Sequence, residues 1–220
     1  MHLDQRKYDK NPLKPFEVII IAILSAAFLF MMTMEILTDF SPRKLSVLLF
    51  LVSWIPLLFI HEFGHAIMAK IAGWKIIRIS IGFGPRLLNT HAFGVPMEIR
   101  VIPLEGFVQT SPTTLHWVRT KNALIYFAGP GIELLIFFSI LAVLGSEQMF
   151  TVTDNYLDIA IKSFAFAALA GAIINLIPIG IRTEDGTTPN DGLGILQCLF
   201  ADSQSYAEWI KQNAKEESRK

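Results

Sequence analysis

Charge is scarce in this chain. Lysine, arginine, aspartate and glutamate make up 17% of its 220 residues, against roughly 25% in a soluble domain. Cysteine is scarcer still, with Cys198 alone. That excludes a disulfide within the chain and any all-cysteine metal site. It leaves Cys198, which sits in an apolar stretch, as a buried spacer. No basic block is present and the formal net charge is zero, so nothing points to nucleic acid. No repeat, low-complexity tract or second soluble domain is visible. What remains is apolar: 52% hydrophobic residues and 17 phenylalanines, with a mean hydropathy of +0.47.

A bilayer crossing takes about 20 apolar residues, and the chain has room for four. The first covers residues 16–36, with Glu17 and Glu35 near its ends. The second covers 46–71 and holds Pro56. The third covers 121–144 and contains Ala128-Gly129-Pro130-Gly131, which should kink it or split it in two. The fourth covers 159–179 and ends at Asn175-Leu176-Ile177-Pro178. Between the second and third, residues 74–84 and 95–108 alternate like strands closed by glycines. The expected fold is an all-α polytopic membrane protein. It has about four transmembrane helices and a small interfacial β-hairpin or sheet between helices two and three. An open sheet edge cannot face lipid inside the hydrocarbon. The strand-like region 74–108 should therefore lie at the interface or against the helices. There it serves either as a scaffold or to bind an extended peptide by strand addition.

Residues 1–15 are expected to form a cytoplasmic N-terminal arm, 16–200 the membrane-embedded domain and 201–220 a polar cytoplasmic tail. The arm is too long and mixed for the start of a signal peptide, and no small-residue cleavage site follows the first apolar run. That first helix is expected to be retained. Residues 182–190 read as a polar, turn-rich loop and 191–200 as a short apolar helix. Trp209 and Ile210 of the tail are candidate interface anchors. Lysine and arginine crowd the arm, the region between spans two and three, and the tail, whereas residues 146–158 have neither. Positive-inside bias then places both termini and the strand-like region in the cytoplasm of a multi-pass, prokaryotic cell-membrane protein.

At the end of the second apolar run stands His61-Glu62-Phe63-Gly64-His65. Histidines four apart project from one helix face at adjacent turns, which lets two nitrogens reach one zinc ion. Glu62 beside them is placed to act as general base and then as proton donor to a leaving amine. Two histidines and a carboxylate at membrane depth are costly unless used. A third ligand is needed. His2, His91 and His116 lie in segments without a supporting pattern, and Glu133, Glu184, Asp185 and Asp191 are the acidic candidates. Asp191 has the best local context, in Pro189-Asn190-Asp191-Gly192 before an apolar helix. Asp185 is its local competitor.

The chain resembles the site-2 proteases, intramembrane zinc metalloproteases of peptidase family M50, in a small form without an evident PDZ or CBS domain. The resemblance covers most of residues 45–200. It is carried by the histidine motif, by Ile81-Gly82-Phe83-Gly84-Pro85, by Pro103-Leu104-Glu105-Gly106-Phe107-Val108 and by Phe127-Ala128-Gly129-Pro130. Asn175-Leu176-Ile177-Pro178, followed by Asn190-Asp191-Gly192, resembles the second active-site motif. The resemblance implies Asp191 as third zinc ligand. It places Asn175 near the metal, holding substrate or the oxyanion. It also implies a transmembrane protein substrate and hydrolysis of a peptide bond in or near a transmembrane segment. An inactive membrane interaction protein that keeps the fold is the alternative, and the intact Glu62 argues against it. Three departures from the family pattern stand out. Residues 182–190 separate the asparagine-proline motif from the acid, Glu105 replaces a glycine, and Glu133 stands where relatives usually carry asparagine. Glu133 should lie either beside the catalytic centre or against Lys162.

Overall fold

The computed structural model describes residues 15–183 and 186–217. The chain begins with helix α1 (Pro15–Thr38), followed after a single 3-10 turn by α2 (Leu45–Ile71). Two long strands come next, β1 (Lys75–Ala92) and β2 (Val95–Ser111). Then follow α3 (Val118–Leu144), the short α4 (Ser146–Phe150) and α5 (Tyr156–Leu176). A second small hairpin, β3 (Gly180–Thr183) and β4 (Gly186–Pro189), leads into α6 (Asp191–Phe200) and α7 (Ser203–Glu217).

Among the described residues, three helices are long and apolar enough to cross a membrane: α2 with its preceding turn, α3 and α5. The protein is thus a multi-pass membrane protein. Of the four expected spans, the first falls on α1, whose described apolar stretch, Ala22–Thr38, is shorter. Its Ile23, Leu24 and Phe30 are exposed. Most of the expected arm, residues 1–14, lies outside the described residues. At about 1.5 Å per residue, α2 is longer than the hydrocarbon core. It continues through Pro56, and α3 continues through Pro130 as one helix. The expected split of the third span is not found. The helix absorbs the missing amide instead, as membrane helices often do when neighbours pack closely.

The helices α2, α3 and α5 pack against one another. Small residues permit this. A Cβ at Gly64 would lie 2.7 Å from the Ala128 carbonyl oxygen, so α2 meets α3 backbone to backbone. On α5, Ala167 and Ala168 close against Leu57. The outward side chains, among them Leu135, Phe138, Val143 and Ile173, are exposed and apolar, as a lipid-facing surface requires. The buried positions of α2 include Leu57, Leu58, His61, Glu62, His65, Ala66 and Ala69. This three-to-four spacing puts the polar motif on the face that looks into the bundle.

The region between α2 and α3 is the expected hairpin, extended in both directions. Its tip, Phe93 and Gly94, has positive φ at both residues (55° and 81°), the requirement of a two-residue hairpin turn. The strands pair antiparallel, and the middle of β1 is flanked on both sides. Ile79 pairs with both Val108 and Met97, and Ile81 with both Gly106 and Ile99. The hairpin thus folds over itself, with residues 79–81 between two segments of β2. Gly82 makes the fold possible, since its φ is +85° and a Cβ there would lie 2.8 Å from the Ile102 carbonyl oxygen. Ile79, Ile81, Trp74, Met97 and Val108 then form one core with Ala66 and Ala69 of α2.

Two readings of the C-terminal part are revised. The segment expected as a loop at 182–190 holds the end of β3 and all of β4, and the polar tail contains α7. Trp209 of α7 turns inward, its ring 5.5 Å from Trp74 in an edge-to-face contact. Tyr206 is wholly buried and accepts a hydrogen bond from Asn122 Nδ2 (3.0 Å). Burial pushes its phenol up to about 12. Cys198 is buried, as expected of a spacer, and burial pushes its thiol up to about 11.

Candidate active site

His61 and His65 lie one turn apart on α2, with ring centroids 4.7 Å apart. Their Nε2 atoms converge at 3.1 Å. Asp191, the first residue of α6, completes a triangle. Its Oδ2 is 3.0 Å from His61 Nε2 and its Oδ1 is 3.4 Å from His65 Nε2. Ligands bound tetrahedrally at about 2.0–2.1 Å sit roughly 3.3 Å from one another, so the triangle has the size a zinc ion needs. The donor chemistry agrees, because two imidazoles and a carboxylate are ordinary zinc ligands that leave a fourth position open. His65 Nδ1 lies 2.6 Å from the Ile125 carbonyl oxygen. It donates its proton there, which leaves Nε2 free to bind a metal. Among the described residues this is the one cluster of three metal-ligating side chains.

The surrounding backbone is shaped to this triangle. A Cβ at Gly129 of α3 would lie 2.6 Å from His61 Nε2 and collide with His65 Nε2. A Cβ at Gly106 of β2 would lie 2.7 Å from Glu62 Oε1 and 2.8 Å from the Ser80 carbonyl oxygen. The strand region thus lies directly against Glu62. Glu62 itself is 3% exposed, and its Oε2 is buried without a hydrogen-bond partner among the described residues. A cavity of about 260 Å³ opens onto the triangle, lined among others by Glu62, Glu105, Gly106, Asn175, Asp191 and Trp209.

Peptidase family M50 matches residues 49–178, more than half of the chain. The chain belongs to this family. A match is found to the zinc metalloprotease RasP of Geobacillus kaustophilus, 39% identical over 77 residues, which are 35% of this chain and 18% of that protein. RasP of Bacillus licheniformis is 36% identical over 76 residues, 34% of this chain and 18% of its own length. The zinc metalloprotease Rip1 of Mycobacterium tuberculosis is 30% identical over 91 residues, 35% of this chain and 22% of its own. The chain therefore spans less than a quarter of each of these bacterial relatives.

The M50 chain brings His61, Glu62, His65, Asn175 and Asp191 to one cavity. Asp185, the local competitor, lies outside the described residues, as do Glu184 and His2. His91 sits in β1 near the hairpin tip and His116 beside Trp117, and neither joins the triangle. Glu133 faces His61, with 3.2 Å between Oε2 and Nδ1. Lys162 is occupied elsewhere, by Asp158 (2.9 Å) and the Thr151 carbonyl oxygen (2.9 Å). Of the two places open to Glu133, the structure selects the one beside the histidines.

Asn190 went unassigned in the sequence, although it stands next to Asp191. Its Oδ1 accepts from Leu193 N (3.1 Å) and Ile179 N (3.0 Å), and its Nδ2 donates to the Ile177 carbonyl oxygen (2.6 Å). It caps α6 and ties the end of α5 to it, which fixes the position of Asp191. Asparagine before an apolar helix is the usual capping signal. Asn190→Ala is expected to cost about 1–2 kcal/mol of stability. It should also shrink the rise in melting temperature that zinc produces, measured by thermal unfolding in detergent.

Proposed function

We propose that this M50 protein is a zinc-dependent intramembrane endopeptidase that hydrolyses a peptide bond in or near a transmembrane segment of a membrane protein substrate. One observation carries the reading. Three converging donors, two of them on a membrane-length helix beside a carboxylate whose Oε2 has no hydrogen-bond partner among the described residues, open into a cavity lined by a strand. His61, His65 and Asp191 would hold the metal. Zinc, when bound, acts as a Lewis acid that acidifies a water and polarises the substrate carbonyl. Glu62 takes the proton of the attacking water on its carboxylate and returns it to the leaving amine. Asn175 offers a neutral amide to the developing oxyanion without demanding a counter-ion.

The substrate must present an extended backbone, because a helix keeps its carbonyls in its own hydrogen bonds. Residues 104–108 of β2 line the same cavity as Asp191. An unwound segment laid along this strand would exchange main-chain hydrogen bonds with it and pass Glu62. The charge distribution supports an orientation with the termini and the cavity mouth facing the cytoplasm. The lipid bilayer of a prokaryotic cell supplies the setting and the substrate.

The test is cleavage of a transmembrane reporter by the purified full chain in detergent, with the product ends mapped by mass spectrometry. Cleavage inside or beside the apolar segment, lost on chelation and restored by zinc, is expected. A protein that holds zinc but cleaves no membrane substrate would instead fit a binding role.

A further inference from the structure

Besides Glu62 Oε2, two buried polar atoms in the site have no hydrogen-bond partner among the described residues, His61 Nδ1 and Glu133 Oε2. They lie 3.2 Å from each other. Glu133 is 4% exposed in the middle of α3. A carboxyl at that depth requires a reason. Space is kept for it. A Cβ at Gly171 of α5 would lie 2.8 Å from Glu133 Oε1 and 3.2 Å from Oε2. Gly129 and Glu133 are one helical turn apart on α3, so they share a face. The bare backbone of the first covers the Nε2 atoms, and the side chain of the second reaches the far side of the His61 ring.

The two histidines thus have different supports. A histidine that gives Nε2 to a metal carries its proton on Nδ1 and must donate it. His65 donates to a backbone carbonyl, that of Ile125. The atom facing His61 Nδ1 is a carboxyl oxygen. We propose that Glu133 is a positioning residue for the zinc site: it accepts the Nδ1–H of His61, which fixes the tautomer and the ring plane and strengthens His61 as a ligand. A small turn of the carboxyl aligns the pair. Either protonation state of Glu133 leaves an oxygen to accept. This deepens the zinc reading of the same site and rests on it.

The test compares zinc affinity by chelator competition, and the visible spectrum of the cobalt-substituted protein, using the full chain in detergent. Wild type, Glu133→Gln, Glu133→Leu and Gly171→Ala are measured. Glu133→Leu removes the acceptor and Gly171→Ala displaces it without touching His61. Both are expected to weaken zinc binding about 10- to 100-fold and to shift the cobalt bands. Glu133→Gln keeps an oxygen and should fall between these and wild type. If the leucine variant does not fold, glutamine and Gly171→Ala decide the question. Wild-type affinity and an unshifted cobalt spectrum in the folded variants would overturn the proposal. If the wild-type enzyme also cleaves its reporter, the protease reading survives that result. A wild type that binds zinc, with weakened variants but no cleavage, upholds Glu133 and removes the protease reading.

Discussion

Replacing Glu62 by glutamine is expected to lower cleavage of a membrane reporter by about 10²- to 10⁴-fold and to leave zinc bound. Both halves follow from position. Glu62 is next to His61 on α2 but outside the ligand triangle, which is closed by His61, His65 and Asp191. Glutamine has the same shape, so it fits against Gly106, where the glutamate leaves no space for a side chain. What it lacks is a proton acceptor. Asp191→Ala is expected to give the contrasting result, because it removes one of the three converging donors: zinc and cleavage should be lost together. Zinc content by elemental analysis, alongside reporter cleavage, separates the two variants. If Glu62→Gln still cleaved at the wild-type rate, the general-base assignment would fail while the metal site stood.

The elements that carry this prediction were unequally legible in the sequence. The helix bearing the histidines was readable because an apolar run of its length has few alternatives in a chain of this composition. His61, Glu62 and His65 were readable because helical spacing alone puts them on one face. Asp191 could be reached from its turn-and-helix context but not separated from Asp185 by spacing, since 126 positions of chain divide His65 from Asp191. Only folding brings them within 3.4 Å. The hairpin was visible as two alternating runs. That β1 lies between two segments of β2 was not, because register is set by pairings that no local pattern records. Of the two outcomes expected at Pro130, the split fails for a related reason, since proline's helix-breaking tendency is local and the packing that overrides it is not. Trp209 read as an interface anchor because an amphipathic tail looks the same whether it meets lipid or a sheet. The glycines carried the least readable information. Gly106, Gly129 and Gly171 each face a carboxylate or imidazole of the site, and nothing in the identity of a glycine says what approaches it.

Gly129→Ala should therefore have an effect out of proportion to one methyl group. The added carbon would lie 2.6 Å from His61 Nε2 and collide with His65 Nε2. Neither ring can turn away cheaply. His65 is held through Nδ1 by the Ile125 carbonyl oxygen, which belongs to the same helix α3. His61 is flanked on its other side by Glu133, also of α3. Relief then requires α3 to move off α2, which the close contact at Gly64 resists. Zinc affinity should fall by about 100-fold, and cleavage with it. The metal-free protein carries the same clash, offset only by the roughly 1 kcal/mol by which alanine favours a helix interior over glycine. Its melting temperature should fall too, and that of the zinc-loaded form should fall further because zinc binding is also lost. Gly131→Ala serves as control, since the nearest atoms to a Cβ there belong to the Phe127 ring, at 3.0 Å, and that side chain is exposed. Zinc titrations of both variants decide the matter. Equal affinities for Gly129→Ala and Gly131→Ala would mean that α3 does not cover the metal-binding nitrogens, and would remove the close-packed site on which the positioning of both histidines depends.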